Sequence, residues 1–438
     1  MLETVRNAFK VEEIKKGLIF TFLMLIVIRL GSQIPLPGID STQFTAWFEQ
    51  TMGDSFNFFN AMTGGSFSNM SIFALNITPY ITSSIIMQLM TIAIPKLEEM
   101  HKDGEEGRKK MAEITRYVTV GLALVESIAM AIGFGRSGAL TEFNALTVIT
   151  IVAGLTAGSA FLMWVGEQIT ERGVGNGISI VLVINIMSRV PQDLISLAEK
   201  FVIGKKLAPA LLASVIILAV ILVTIVLVVL LQDGERRIPV QYSKKMVGRK
   251  QYGGQSTHIP LKVNTAGVIP VIFASSLMQI PYMIAAFMGK TNGTGIGSKI
   301  IKLLLSSSWC NPNEPIYTIG LLIYVLLIVF FAYFYTSITF NPLEVANNMK
   351  KAGGFIPGIR PGRATSDYLS NILHSIVFIG AIGLIIVSVI PIVFSGVFGA
   401  NVSFGGTSLI IIVGVVLETI KQVESKMQVR YYKGFLND

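Results

Sequence analysis

Ten mostly apolar stretches recur along the chain, at about 17–36, 71–94, 117–136, 145–166, 177–195, 207–232, 263–288, 316–340, 369–396 and 406–424, with polar segments between them. Each approaches the ~20 residues that an α-helix needs to cross a bilayer, so the pattern predicts ten membrane-spanning helices. Leu207 to Leu231 contains no charged residue. The run after Lys15 and Lys16 resembles a signal peptide, but no small-residue cleavage pattern follows, so it is taken as the first permanent span. An even number of spans leaves both termini on one side. Assigning residues 1–16, 95–116, 167–176, 233–262, 341–368 and 421–438 to the cytoplasm places 26 of the 35 lysines and arginines there, which predicts cytoplasmic termini.

Five spans precede the linker at Lys205 and Lys206 and five follow it, so two units, 1–200 and 201–438, are expected. Because five is odd, the halves would insert with opposite orientations, as in an inverted repeat. No convincing sequence identity links them, so the count permits the symmetry without establishing it.

Two features interrupt simple spans. Asp54 to Met70 carries Asn57, Asn60 and Asn69, is broken by Gly64 and Gly65, and cannot cross a bilayer alone. It is either an extracellular loop helix or a short half-helix folded into the bundle interior, the one place where irregular backbone survives at membrane depth. Pro79 in the second span and Pro270 in the seventh each remove a helical hydrogen bond and are expected to kink their helices.

Composition agrees with a chain embedded in the membrane along its whole length: 52% of its 438 residues are hydrophobic and 14% charged. The net charge of +9 lies in short loops, where it orients spans against anionic headgroups and is not a nucleic-acid surface. The segment from Asp233 to Lys262 is different in kind. It holds seven basic and two acidic residues within 30 positions, far more chain than a helix connection needs, and is expected to dock a soluble partner.

Catalytic patterns are missing from the sequence. It has no phosphate-binding G-x-x-x-x-G-K-[ST] loop, His101, His258 and His374 lack metal-ligand spacing, and the single Cys310 allows no intramolecular disulfide or cysteine cluster. No enzyme activity, catalytic residue, metal or cofactor is expected, so any energy source must be a partner or the membrane potential. Glu126 is the clear ionisable residue inside a predicted span. It is either a polar lining or gate position or a protonated acid hydrogen-bonded between helices.

Motifs then narrow the reading. The stretch QYGGQSTHIPLKVNTAGVIPVIFASS from Gln251 to Ser276 resembles the SecY/Sec61-alpha family of protein-conducting channels. So do, in order, IPLPGID at Ile34 to Asp40, FLMWVGEQITERGVGNGIS at Phe161 to Ser179, NPLEVANNMKKAGGFIPGIRPG at Asn341 to Gly362, and FGGTSL at Phe404 to Leu409. The resemblance covers nearly the whole chain. It implies an all-α polytopic membrane protein, ten transmembrane helices in two inverted five-helix halves closed around an hourglass pore, with a re-entrant plug helix. Unfolded secretory polypeptides would thread the pore, and membrane helices would leave sideways into lipid across the bacterial plasma membrane. The alternative, an inverted-repeat secondary transporter, is favoured by architecture alone.

The resemblance also implies sites. A constriction ring maps to Ile77, Ile81, Ile178, Leu182, Ile272 and Ile411. The i, i+4 spacing of 77 with 81 and of 178 with 182 puts each pair on one helix face. Such a ring suits the task because it dewets when empty and yields to any side chain. The plug maps to about 55–69, centred on Asn57, Phe58, Phe59, Asn60, Ala61, Met62, Thr63, Gly64 and Gly65. The lateral gate maps to the second and third spans facing the seventh and eighth, with Thr82, Gln88 and Ile280 at gate positions. Arg249, Lys250 and Arg360 on the two large loops would dock the SecA motor ATPase or a ribosome. Further implied partners are SecE and SecG subunits, signal sequences and nascent polypeptides, and membrane lipids.

Overall fold

The computed structural model describes residues 9, 11–51, 60, 62–136, 140, 143–203, 205, 207–242, 245–247, 250–252, 256–287, 296–312, 314–398 and 406–434. Each of the ten apolar stretches contains a helix: α1 (Glu12–Gly31), α3 (Thr78–Ala93), α5 (Gly104–Arg136), α6 (Ala145–Arg172), α7 (Gly177–Phe201), α8 (Leu207–Asp233), α9 (Ile269–Phe287), α11 (Ile319–Thr339), α13 (Arg363–Phe398) and α14 (Gly406–Gly434). Shorter helices α2 (Ser41–Thr51), α4 (Pro95–Lys102), α10 (Ile296–Leu303) and α12 (Pro342–Lys351) lie between them. Among the described residues, six helices, α5, α6, α7, α8, α11 and α13, are long and apolar enough to cross a membrane by length and composition.

The second and seventh spans are not continuous helices. Residues 72–77 form turns before α3, and residues 263–268 form turns before α9. Pro79 and Pro270 therefore stand at the second helical position of α3 and α9 and do not kink them. That corrects the sequence expectation, and the reason is local: near a helix start the missing N–H would have had no intrahelical acceptor, and the fixed φ favours helix initiation.

These two entries match each other residue for residue at an offset of 191. Asn76 (φ 52°) corresponds to Gly267 (φ 63°), both left-handed, followed three residues later by Pro79 and Pro270. Glycine adopts that conformation freely, and asparagine is among the few other residues that do so. The preceding turns are also seated alike. A Cβ on Gly158 of α6 would stand 2.1 Å from the Ile72 carbonyl oxygen, and one on Gly380 of α13 would stand 2.3 Å from that of Val263. Each glycine thus admits irregular backbone against a helix.

Within each set the last four helices pack in sequence order, α3 on α5, α5 on α6 and α6 on α7, then α9 on α11, α11 on α13 and α13 on α14, while the first helix packs on the last two, α1 on α6 and α7 and α8 on α13 and α14. One core joins Phe44, Phe67, Met70, Phe134, Ile151 and Leu155 from the first five spans and their loops. Another joins Val228, Val271, Met278, Trp309, Tyr324, Ile328 and Val387 from the last five. The two sets meet where α5 packs on α9 and where α7 packs on α8 and α14.

The polar segment 233–262 is built mainly of strands, where the sequence suggested a loop. β1 (Glu235–Tyr242) pairs antiparallel with β4 (Ser256–Lys262), from Glu235 opposite Lys262 to Gln241 opposite Ser256, and a small hairpin of β2 (Lys245–Val247) and β3 (Lys250–Tyr252) lies between them. β1 also pairs with β5 (Gly354–Phe355), which brings the second large loop onto the same sheet. Because β5 reaches only Gln241 and Tyr242, Pro239 lies on a stretch of β1 paired on one side, where a missing N–H is tolerated. Alternate residues Ile238 and Val240 turn inward to pack with Leu261, Met349, Ile356 and Leu369.

This small core anchors both loops, and Ile356 is buried at its centre. Ile356→Ala should cost about 2–5 kcal/mol locally. The expected result is much faster protease cleavage within 341–368 while the spans stay protected; equal cleavage rates for the variant and the parent would show that Ile356 does not hold the loop.

Candidate functional site

Four helices supply the six residues expected to form the ring, and they meet. Ile77 immediately precedes α3, and Ile81 lies in its first turn. Ile178 and Leu182 share one face of α7, while Ile272 comes from α9 and Ile411 from α14. Ile77, Leu182, Ile272 and Ile411 are buried in a single apolar cluster, against which Ile81 and Ile178 pack half-buried. Ile28 of α1, Leu162, Val165 and Ile169 of α6, and Val415 of α14 back the cluster. It is the place where the two sets of helices join through branched aliphatic side chains.

The plug candidates divide. Asn57, Phe58, Phe59 and Ala61 lie outside the described residues, whereas Asn60, Met62, Thr63, Gly64 and Gly65 are buried. Met62 belongs to the same apolar cluster as the ring. Asn60 winds the segment on itself: its carbonyl accepts from the Gly65 amide at 2.9 Å and from Thr63 Oγ1 at 3.1 Å, and its Oδ1 accepts from the Ser68 amide at 3.2 Å. The chain then runs back beside the α1 exit, where the Leu36 amide donates to Met70 O at 3.1 Å and the Ile72 amide to Ile34 O at 3.0 Å. Every one of these bonds satisfies backbone that no helix satisfies.

Polar side chains missed by the sequence reading face this segment from outside it. Asn76 Nδ2 donates to Met62 O at 2.7 Å, Asn185 Nδ2 of α7 donates to Asn76 Oδ1 at 3.0 Å, and Arg29 Nη1 of α1 lies 3.5 Å from Gly64 O. The available signal was an asparagine inside the apolar face of α7, three residues beyond Leu182.

At the gate, Thr82 is half-buried and Gln88 exposed on α3; the side chain of Ile280, on α9, lies outside the described residues. Gln88 interacts with the Tyr335 hydroxyl of α11, and α5 packs on α9. The second and third spans therefore face the seventh and eighth. Glu126 is half-buried on α5, apart from the ring cluster, and the polar contact between α5 and α6 there is Ser127 Oγ to Thr156 Oγ1 at 3.1 Å.

Of the docking candidates, Arg249 lies outside the described residues and Lys250 is described only as backbone of β3. Arg360 is exposed at the tip of the second loop. Its neighbours fix it there: Ile356 is buried, Ile359 packs on the sheet core, Gly358 (φ 81°) and Gly362 (φ 105°) turn the chain, and Thr365 Oγ1 donates to Arg360 O at 2.8 Å.

Comparison with known proteins agrees with this architecture. The SecY family model matches residues 71–420. The protein translocase subunit SecY of Streptomyces scabiei is 44% identical over 453 aligned positions, covering 100% of both chains. Among solved structures, one concerning the SecY plug domain and the closed translocation channel superposes with a TM-score of 0.64 at 20% identity, over 94% of this chain and 92% of that one. The canine Sec61 of a ribosome–channel complex gives 0.61 at 18% identity, over 94% and 93%. Full-length identity and the family match lead to one assignment: the chain belongs to the SecY family.

Proposed function

We propose that this chain forms the protein-conducting pore of a bacterial plasma-membrane translocase, threading unfolded secretory polypeptides across the bilayer and releasing membrane helices sideways into lipid. The observation that carries the proposal is the single apolar cluster in which ring residues from α3, α7, α9 and α14 close on one another beneath Met62. A branched aliphatic constriction excludes water and ions when empty and has no fixed charge to reject a passing side chain. A coupled transporter needs coordinating groups where its helices break; here the breaks before α3 and α9 deliver Ile77, Ile81 and Ile272. In this reading the two halves are 1–200 and 201–438, inverted and ten-spanned with cytoplasmic termini, and the matched entries to α3 and α9 support the repeat.

The chain carries no chemistry of its own in this scheme. SecA would supply ATP-driven force, ribosomes would feed nascent chains, and SecE and SecG would flank the spans. Support for a ribosome comes from relatives, since both canine Sec61 and yeast Ssh1 are known in ribosome complexes. The sheet of β4, β1 and β5 would hold both docking loops together, with Arg360 and the β2–β3 hairpin offered to the partner. Asn60 to Gly65 would be the described part of the plug.

The passage itself can be tested with a stalled secretory precursor bearing one thiol-reactive probe, using Cys310→Ser as background. Probes within the membrane should label Ile272→Cys and Ile411→Cys but not Phe44→Cys, which lies in the core of the first five spans. Labelling at Phe44→Cys alone would move the passage elsewhere.

At the seam, Gln88→Leu and Tyr335→Phe should each weaken closure by about 0.6–1.7 kcal/mol, the range for polar contacts between membrane helices. Each should speed insertion of a weakly hydrophobic signal sequence, and the double variant should add nothing. Fully additive effects would separate the two residues.

Charge reversal at Arg360 should spare assembly, because the side chain is exposed and the tip is held by Ile356 and Ile359. Arg360→Glu is expected to abolish most ATP-dependent export of a secretory precursor at matched expression, while Lys350→Glu on α12 has a mild effect. Normal export by Arg360→Glu would exclude it from motor docking.

A further inference from the structure

We infer that Asn185 and Asn76 are positioning residues that latch the plug to α7, so that plug release answers to displacement of α7. This inference rests on the plug reading above. One face of α7 presents Ile178, Leu182, Asn185 and Arg189 in steps of four, three and four residues, an apolar half followed by a polar half. Ring and latch are therefore successive turns of one helix. Asn185 Nδ2 donates to Asn76 Oδ1 at 3.0 Å, and Asn76 passes the connection on, its Nδ2 donating to Met62 O at 2.7 Å. Asn76 is buried and left-handed at φ 52°, a conformation asparagine tolerates, with both ends of its amide engaged.

The fit around the plug turn is close. A Cβ on Gly64 would stand 2.8 Å from Arg29 Nη1, 2.9 Å from Asn185 O and 2.9 Å from Ser188 Oγ, so the backbone of the turn lies directly against α7. Yet the contact is under-satisfied: Asn185 Oδ1, Arg189 Nε and Ser66 Oγ are buried without a hydrogen-bond partner among the described residues. Unpaired buried polar atoms cost free energy. A permanent wall would gain by replacing them with apolar groups, whereas a contact that must open is made easier to break by them. Among the described residues, the side-chain hydrogen bonds that reach the plug turn from outside it come from Arg29 of α1 and from Asn76 at the entry to α3, and α7 joins them through the bond from Asn185 to Asn76. Parting the two sets of helices does not by itself break them; a chain that displaces α7 as it enters the ring does.

The test measures resting open probability of the purified translocase complex in planar bilayers. Asn185→Leu should raise it about 5-fold, the effect of one buried hydrogen bond of ordinary strength on a two-state equilibrium. Asn76→Gly, which suits the left-handed backbone, removes both bonds and should raise it further. The double variant should equal Asn76→Gly, because the Asn185 bond ends on Asn76. With residues 57–66 deleted, Asn185→Leu should have no further effect, a silence that general destabilisation of α7 would not produce. Parental open probability in both single variants, or an undiminished Asn185→Leu effect in the deletion background, overturns the latch and leaves the plug. No rise on deletion of 57–66 overturns the plug reading and the latch with it.

Discussion

Irregular backbone at the centre of a helical bundle must find every hydrogen bond within the protein, because lipid offers none. That constraint organises this chain at residues 60–77 and 263–268. The first stretch is satisfied by Asn60, by pairing of 70–72 with 34–36, and by Asn76; the second begins where the Val263 amide donates to Gly234 O at 2.8 Å. Gly158 and Gly380 let the two stretches lie against α6 and α13. Only because these segments are satisfied can α3 and α9 start at Thr78 and Ile269, which is what brings Ile77, Ile81 and Ile272 to one level.

The constriction then follows from geometry more than from any one interaction. All four helices begin near it, α3 at Thr78, α7 at Gly177, α9 at Ile269 and α14 at Gly406, so each contributes one or two side chains from its start or first turns. Isoleucine and leucine fill the space without a fixed charge. The polar groups stand one turn further along α7, against the turn at Gly64.

Much of this was legible in the sequence, and the limits have physical reasons. Hydropathy located a helix in all ten stretches, because a helix of that length is the one economical use of such residues in lipid. The ring residues came from motif resemblance, supported by the i, i+4 pairs, and the structure brings all six together. Pro79 and Pro270 were misjudged because proline has opposite consequences at a helix start and in its interior, and the apolar run gives no sign of where the first turn begins. The sheet was hidden because the alternation of Ile238 and Val240 is short and interrupted by Pro239, and because half its support, Ile356 and β5, lies more than a hundred residues away. Asn185 was not singled out, because one asparagine in an apolar helix face carries no meaning until its partner Asn76 is placed beside it.

The sheet also ties the two large loops to the helix that carries Ile272. β1 follows α8 directly through Gly234, and β4 ends at Lys262, next to Val263 and the turns that enter α9. Nine residues lie between the end of β4 and Ile272, and among them Val263 is pressed against Gly380 of α13. The other loop is tied to the same place, since β5 pairs with β1 and Leu369 of α13 packs in the sheet core. Both loops are therefore tied to α8, α9 and α13, while Ile81 of α3 and Ile178 and Leu182 of α7 meet Ile272 in the apolar cluster. The two sets meet at α5 against α9 and at α7 against α8 and α14, so a displacement of either loop would reach Ile81, Ile178 and Leu182 only across those contacts and the apolar cluster.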